Sequence, residues 1–122
     1  MRSDGTMIRD YIYVRDVVAA YLLLAEAMDD KKFWGQAYNI SLEMQLSVLE
    51  VTNKILEVMG RADLQPIILN EANAEIPVQY LSAARARREL GWTPRFSMLE
   101  GLTETVDWYR NYFINSAVSA DS

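Results

Sequence analysis

The chain has 122 residues, with 17 acidic and 12 basic side chains, a formal net charge of −5 and 51% hydrophobic residues. That is enough to build one core, and it is not the surface of a protein that neutralises nucleic-acid phosphates. There is no cysteine and no histidine, which excludes disulfides, thiolate metal sites, Ser-His-Asp and Cys-His nucleophile arrangements, and the commonest neutral-pH base.

The longest apolar run, residues 17–25, is far short of the ~20 residues of a membrane span. No signal-type leader follows Met1. A reducing cytoplasm is therefore the expected location. Asp4 and Gly5 mark a turn, and residues 7–14 alternate imperfectly, as one or two brief strands would. Asp16 reads as the N-cap of a helix with Val17, Tyr21, Leu24 and Met28 in an apolar stripe that Val18, Leu22 and Ala25 widen. This helix is expected to be well buried. After a polar connection at 29–32, residues 36–41 read as a strand with Tyr38 and Ile40 on one side.

Ser47 and Glu50 have capping-box spacing, opening a helix with Val48, Val51, Ile55 and Met59 on one face and Gly60 as its stop. Residues 66–69 are an apolar run of strand length, and 70–75 read as a loop. Ser82 is placed to cap a short helix through Leu90, with Gly91 as its C-cap and Pro94 close behind. Ser97 and Glu100 repeat the capping-box pattern before Leu99, Leu102, Val106, Tyr109 and Phe113, which recur at helical spacing. The expected fold is a mixed α/β (α+β) lobe over residues 1–114, with about four helices and three or four short strands. Residues 115–122 are expected to form a flexible tail.

Little in this pattern bears catalytic chemistry. All five glycines are isolated, so there is no glycine-rich turn to cradle a pyrophosphate. The carboxylates Asp10, Asp16, Glu43, Glu50, Glu75 and Glu100 show no paired spacing, and two of them stand in cap positions, so they read as structural. No catalytic residue and no metal site is expected. Trp34, Trp92, Trp108, Tyr109 and Tyr112 read as core and turn packing rather than as a stacking platform.

Two stretches are more specific: Arg9-Asp10-Tyr11-Ile12-Tyr13-Val14-Arg15-Asp16-Val17-Val18 and Ala86-Arg87-Arg88-Glu89-Leu90-Gly91-Trp92-Thr93-Pro94. They resemble the extended short-chain dehydrogenase/reductase family, in particular its NAD-dependent nucleotide-sugar epimerases and 4,6-dehydratases. The patterns matched are R-D-aromatic-x-(Y/H)-V-x-D and K-A-x-x-x-L-G-W-x-P. Tyr38-Asn39-Ile40 and the closing Gly101-Leu102, Thr105-Val106 and Trp108-Tyr109 follow in the family's order, so the resemblance covers about residues 4–113.

The resemblance implies a parent enzyme whose N-terminal Rossmann half binds NAD(P) and carries a Ser/Thr-Tyr-Lys set. No Tyr in this chain is followed four residues later by Lys. The chain is thus expected to be the C-terminal substrate-binding lobe, with no catalytic residue and no bound cofactor of its own. The resemblance implies Arg9 as the contact to a substrate diphosphate, whose oxygens a guanidinium fork meets bidentately. It implies Glu75 near the nucleotide ribose and Gln79 bordering the hexose, where a carboxylate and an amide suit hydroxyl groups.

Ala72 stands where some epimerases carry a second diphosphate-binding arginine, and Arg85 replaces the lysine of the K-A pair. Segments 21–26 and 75–82 look closest to CDP-glucose 4,6-dehydratases. The implied partners are a nucleotide diphosphate sugar and the Rossmann half, with no nucleic acid and no membrane. An excised lobe is expected to self-associate through its exposed apolar face. The other reading is a free-standing binding or assembly module that has kept this shape.

Overall fold

The computed structural model describes residues 1–71 and 75–120, with side chains for all of these except 116–120. In chain order the elements are β1 (Ile8–Asp10), α1 (Val14–Ala27), β2 (Gln45–Ser47), α2 (Val48–Val58), α3 (Ala84–Leu90) and α4 (Met98–Ala120). This is the mixed α/β lobe with four helices that the sequence implies. Its sheet is smaller than expected, because β1 and β2 form one antiparallel pair with Ile8 opposite Ser47 and Asp10 opposite Gln45. On its other edge β1 makes a single parallel bridge, Ile8 to Val78.

Two helix pairs flank this ribbon. Helices α1 and α3 pack around Trp92, Ala20, Ala83 and Ala86, with Ile12, Leu23, Tyr38, Ile40 and Leu90 against them. Helices α2 and α4 also pack against each other, and each carries one buried valine, Val51 and Val106. The alanines let α1 and α3 approach closely enough to enclose one large ring, and Trp92 has no exposed surface.

The local signals around α2, α3 and α4 operate as their chemistry dictates. The Ser47 hydroxyl accepts from the Glu50 N–H while the Glu50 carboxylate accepts from the Ser47 N–H, which satisfies two of the helix's orphan donors. Ser97 and Glu100 make the same reciprocal pair at 3.2 and 2.8 Å. Gly91 takes the left-handed conformation, φ 66°, and lets the Trp92 N–H return to the Ala86 carbonyl at 3.3 Å. At Gly101 a Cβ would lie 2.8 Å from the Tyr13 Cβ, so only glycine allows α4 to cross β1's continuation there.

Several expectations are corrected. Asp16 is not an N-cap: α1 begins at Val14 behind Tyr13, with no side-chain cap. Asp16 is instead fully buried, its carbonyl accepting the Trp92 indole N–H at 3.1 Å and its Oδ1 accepting the Arg95 N–H at 2.8 Å. Its side chain thereby ties α1 to the α3–α4 connection. Helix α1 is buried on one side only, through Asp16 and Ala20. Val14, Val18, Tyr21 and Leu22 are all at least 50% exposed.

Residues 36–41 and 66–69 are not strands. An extended segment becomes a strand only when a neighbour supplies a regular ladder: 66–69 has only the chain start beside it, the Met1 amino group donating to the Ile67 carbonyl and the Leu69 N–H to the Met1 carbonyl, and 36–41 has no such neighbour among the described residues. Residues 31–33 form a 3-10 turn capped by Asp30, and β2 went unseen because three residues show no periodicity. Trp92 is core as expected, whereas Trp34, Trp108, Tyr109 and Tyr112 are more than half exposed. Only the middle of the α4 stripe is covered, since Leu99 and Phe113 are exposed beside the buried Val106. Helical backbone continues through Ala120, past the expected boundary at 114.

Trp92 holds the α1–α3 half together through volume and one indole hydrogen bond. Trp92→Ala is expected to lower the free energy of unfolding by about 3–5 kcal/mol, as read from urea denaturation. Trp92→Phe, which loses the bond but less volume, should fall between that variant and the native chain.

Candidate functional site

β1 carries two adjacent side chains with opposite tasks. Arg9 turns toward the segment 75–81: Nη1 donates to the carbonyls of Ile8 and Ile76, both at 2.8 Å, and Nη2 to the Glu75 carboxylate at 3.1 Å. The guanidinium is about one-quarter exposed and its carboxylate partner about half. The Ile8 backbone is itself hydrogen-bonded to Pro77 and Gln79, and Ile76 directly precedes Pro77, so the two carbonyls hold the arginine. Glu75, being exposed, is the partner that an incoming anion can replace.

Segment 75–81 is sewn along β1. The Ile8 N–H donates to the Pro77 carbonyl at 2.9 Å and the Ile8 carbonyl accepts from the Gln79 N–H at 3.1 Å. In parallel pairing, residues in register project to the same face. The Ile8–Val78 bridge therefore puts Gln79 on the face of Arg9. Of the three residues singled out by resemblance, Arg9 and Glu75 are in direct contact, and Gln79 is exposed, with its N–H held by the carbonyl of Ile8, the residue before Arg9. Ala72 lies outside the described residues.

Asp10 faces the opposite way. Its Oδ2 accepts from the Ser41 hydroxyl at 2.6 Å and from the Leu81 N–H at 2.9 Å, and Ser41, fully buried, accepts in turn from the Glu43 N–H at 2.7 Å. Asp10 Oδ1 and Asp16 Oδ2 are buried without a hydrogen-bond partner among the described residues. Glu43, at φ 57°, aims its carboxylate at the first turn of α3. There Oε1 accepts from the Ala83 N–H and the Ser82 hydroxyl, and both oxygens accept from Arg87 at 2.8 Å. Ser82, to which the sequence assigns the cap, accepts the Ala84 N–H at 3.3 Å, and the distant Glu43 carboxylate adds to it by taking the Ala83 N–H. Carboxylates read as bland from spacing alone, Asp10 and Glu43 among them, hold the frame of the site. The one available signal was Asp10's place beside Arg9 in the motif.

A separate open groove of about 530 Å³, lined by Tyr11, Tyr13, Val51, Leu102, Glu104 and Trp108 among others, includes none of Arg9, Glu75 and Gln79. Its one carboxylate is occupied, since Glu104 accepts from the Tyr13 hydroxyl at 2.7 Å and from Arg15 at 2.8 Å. Among the described residues no group of His, Cys, Asp or Glu is placed to hold a metal ion. No helix among them is long and apolar enough to cross a membrane.

Residues 2–105 match the GDP-mannose 4,6-dehydratase family. The chain belongs to that family, within the NAD-dependent epimerases and dehydratases of the extended short-chain dehydrogenase/reductase type. It is 38% identical over 107 residues to the low-salt glycan biosynthesis protein Agl12 of Haloferax volcanii, covering 88% of this chain and 33% of that protein. The fold is similar to that of UDP-glucose 4-epimerase from Thermotoga maritima, solved with UDP-glucose. There the TM-score is 0.79 at 31% identity, over 93% of this chain and 35% of that one. The UDP-glucose 4-epimerase of Stenotrophomonas maltophilia, with bound NAD and formylated UDP-arabinopyranose, gives a TM-score of 0.78 at 29% identity, over 98% and 33% of the two chains. This chain spans about a third of the length of the curated relatives it matches. Within these 122 residues the five glycines are isolated, and no Tyr precedes a Lys by four positions.

Three glutamates are held ionised by their partners. Arg87, with the Ala83 N–H and the Ser82 hydroxyl, holds Glu43 below the ordinary value of 4.5. Tyr38 does so for Glu89, and Tyr13 and Arg15 for Glu104. A carboxyl whose pKa is lower folded than unfolded contributes stability that is present above the unfolded value and lost as pH falls through the folded one. The urea midpoint is therefore expected to be steady from neutral pH down to about 5 and to fall below about 4.5. Glu43→Gln should start lower at neutral pH and lose less than the native chain across the acid range.

Proposed function

We propose that this chain is the substrate-binding lobe of an NAD(P)-dependent nucleotide-sugar 4-epimerase or 4,6-dehydratase, and that it grips the substrate without itself carrying out the redox step. Arg9 takes the diphosphate, Glu75 turns to the ribose hydroxyls once the phosphate has replaced it, and Gln79 borders the hexose. The observation that carries this reading is the arginine itself, fixed by two carbonyls and neutralised by a single displaceable carboxylate on the face it shares with Gln79. Such an arrangement exchanges one oxyanion for another at little structural cost.

The test is calorimetric titration of the chain with UDP-glucose. Arg9→Ala is expected to weaken binding at least about tenfold, since a charge-assisted bidentate contact is lost. Arg9→Lys should recover only part, because a lysine offers a point charge and no fork. Equal affinity of Arg9→Ala and the native chain would sink the proposal. The resemblance of segments 21–26 and 75–82 makes CDP-glucose the nucleotide sugar to set beside UDP-glucose.

Exposed apolar side chains support a lobe that packs against more protein, the Rossmann half of an intact enzyme. Val14, Val18, Tyr21 and Leu22 lie on the outer side of α1, and Trp108, Tyr109, Tyr112 and Phe113 on α4, all at 50% exposure or more. Alone, the chain is expected to self-associate, with a concentration-dependent mass above 14.0 kDa in sedimentation velocity. A strictly monomeric chain at high concentration would favour the free-standing module instead.

A further inference from the structure

We infer that Asp10 and Ser41 are positioning residues for the sugar-nucleotide site, the Asp10 carboxylate fixing the far end of segment 75–81 and so setting where Gln79 stands against Arg9. The inference rests on the reading of that site as a grip for a nucleotide diphosphate sugar.

Segment 75–81 carries two of the three site residues and contains neither a helix nor a named strand. Its position is set by what β1 gives it. The Arg9 side chain takes Glu75 and the Ile76 carbonyl, and the Ile8 backbone takes the Pro77 carbonyl and the Gln79 N–H. In a regular parallel ladder the next rung would be the Asp10 carbonyl accepting the Leu81 N–H. Here the Asp10 carboxylate accepts it, at 2.9 Å. A side chain thus stands in for a ladder carbonyl where the segment leaves β1.

A free carboxylate would be a loose anchor, because χ1 and χ2 both turn. Ser41 removes that freedom. It is fully buried, donates to the same Oδ2 at 2.6 Å, accepts from the Glu43 N–H, and lies 3.3 Å from the Leu81 carbonyl. Through Glu43 the anchor is continuous with the first turn of α3. Arg9 does not need this anchor, since one of its own ties is to the carbonyl of Ile8 next to it in sequence. Removing Asp10 or Ser41 therefore frees the Leu81 end of the segment and loosens Gln79 from that side, while the Arg9 ties to Glu75 and Ile76 and the Ile8 ties to Pro77 and Gln79 remain.

Two ligands separate these effects: inorganic pyrophosphate, which asks only for Arg9, and UDP-glucose, which also asks for Glu75 and Gln79. In the full 122-residue chain, Asp10→Ala and Ser41→Ala are expected to weaken UDP-glucose binding about tenfold while pyrophosphate affinity stays within about twofold. Asp10→Asn, whose amide oxygen still accepts from Leu81 and Ser41, should restore most of the loss. Where Asp10→Ala does not fold, the split is read on Ser41→Ala, which changes one atom in a closed site. Equal losses for both ligands, or no loss for either, overturn the inference while an Arg9-dependent UDP-glucose affinity leaves the site reading intact. If Arg9→Ala binds UDP-glucose as the native chain does, the site reading falls and this inference with it.

Discussion

Carboxylates bonded to backbone N–H groups do in this lobe what sheet ladders do in most mixed α/β folds. Among the described residues the only sheet is a ribbon of two three-residue strands, too little to organise four helices. The joints between elements are instead Asp16 to the Arg95 N–H, Asp10 to the Leu81 N–H and Glu43 to the Ala83 N–H. Each closes a gap of 40 or more residues, and each satisfies a donor that would otherwise be left without a partner at a loop or helix end. Charge-assisted bonds of this type are stronger than neutral ones, which suits a design with so few of them.

That construction explains how a charged site is held on a small, weakly laddered frame. Arg9 and Asp10 are neighbours on a strand, so their side chains leave on opposite faces. One is turned outward to an exchangeable carboxylate, and the other inward to a buried hydroxyl. The exposed face and the structural face are thereby separated by a single peptide unit, and a change of partner on one side need not disturb the other.

What could be read from the sequence was whatever is local. Both capping boxes, the Gly60 and Gly91 stops and the four helices follow from spacing within a few residues. Arg9 is singled out by the Arg-Asp motif, and Glu75 and Gln79 by the positions they share with relatives in the resemblance. What stayed hidden depends on distant partners. Nothing in the neighbourhood of Glu43 shows that it caps a helix 40 residues on, and Asp16 looks like an N-cap because its spacing to the apolar stripe is right. The stripe of α1 was identified correctly as apolar, but periodicity cannot say which part of it the same chain covers, and Ala20 rather than Tyr21 faces inward. Residues 36–41 have strand composition without a strand's neighbour.

Gly101 bears on more than the clearance it gives Tyr13. A helix resting on a flat ring is free to slide along its axis, and one turn of slip costs little when the contacts are generic. The notch at Gly101 admits the ring at one level of α4 only, because one turn further on the groove meets Thr105 instead. The residue that is missing a side chain therefore indexes α4 lengthwise against the start of α1. That in turn sets which level of α4 lies against α2, where Val106 is buried.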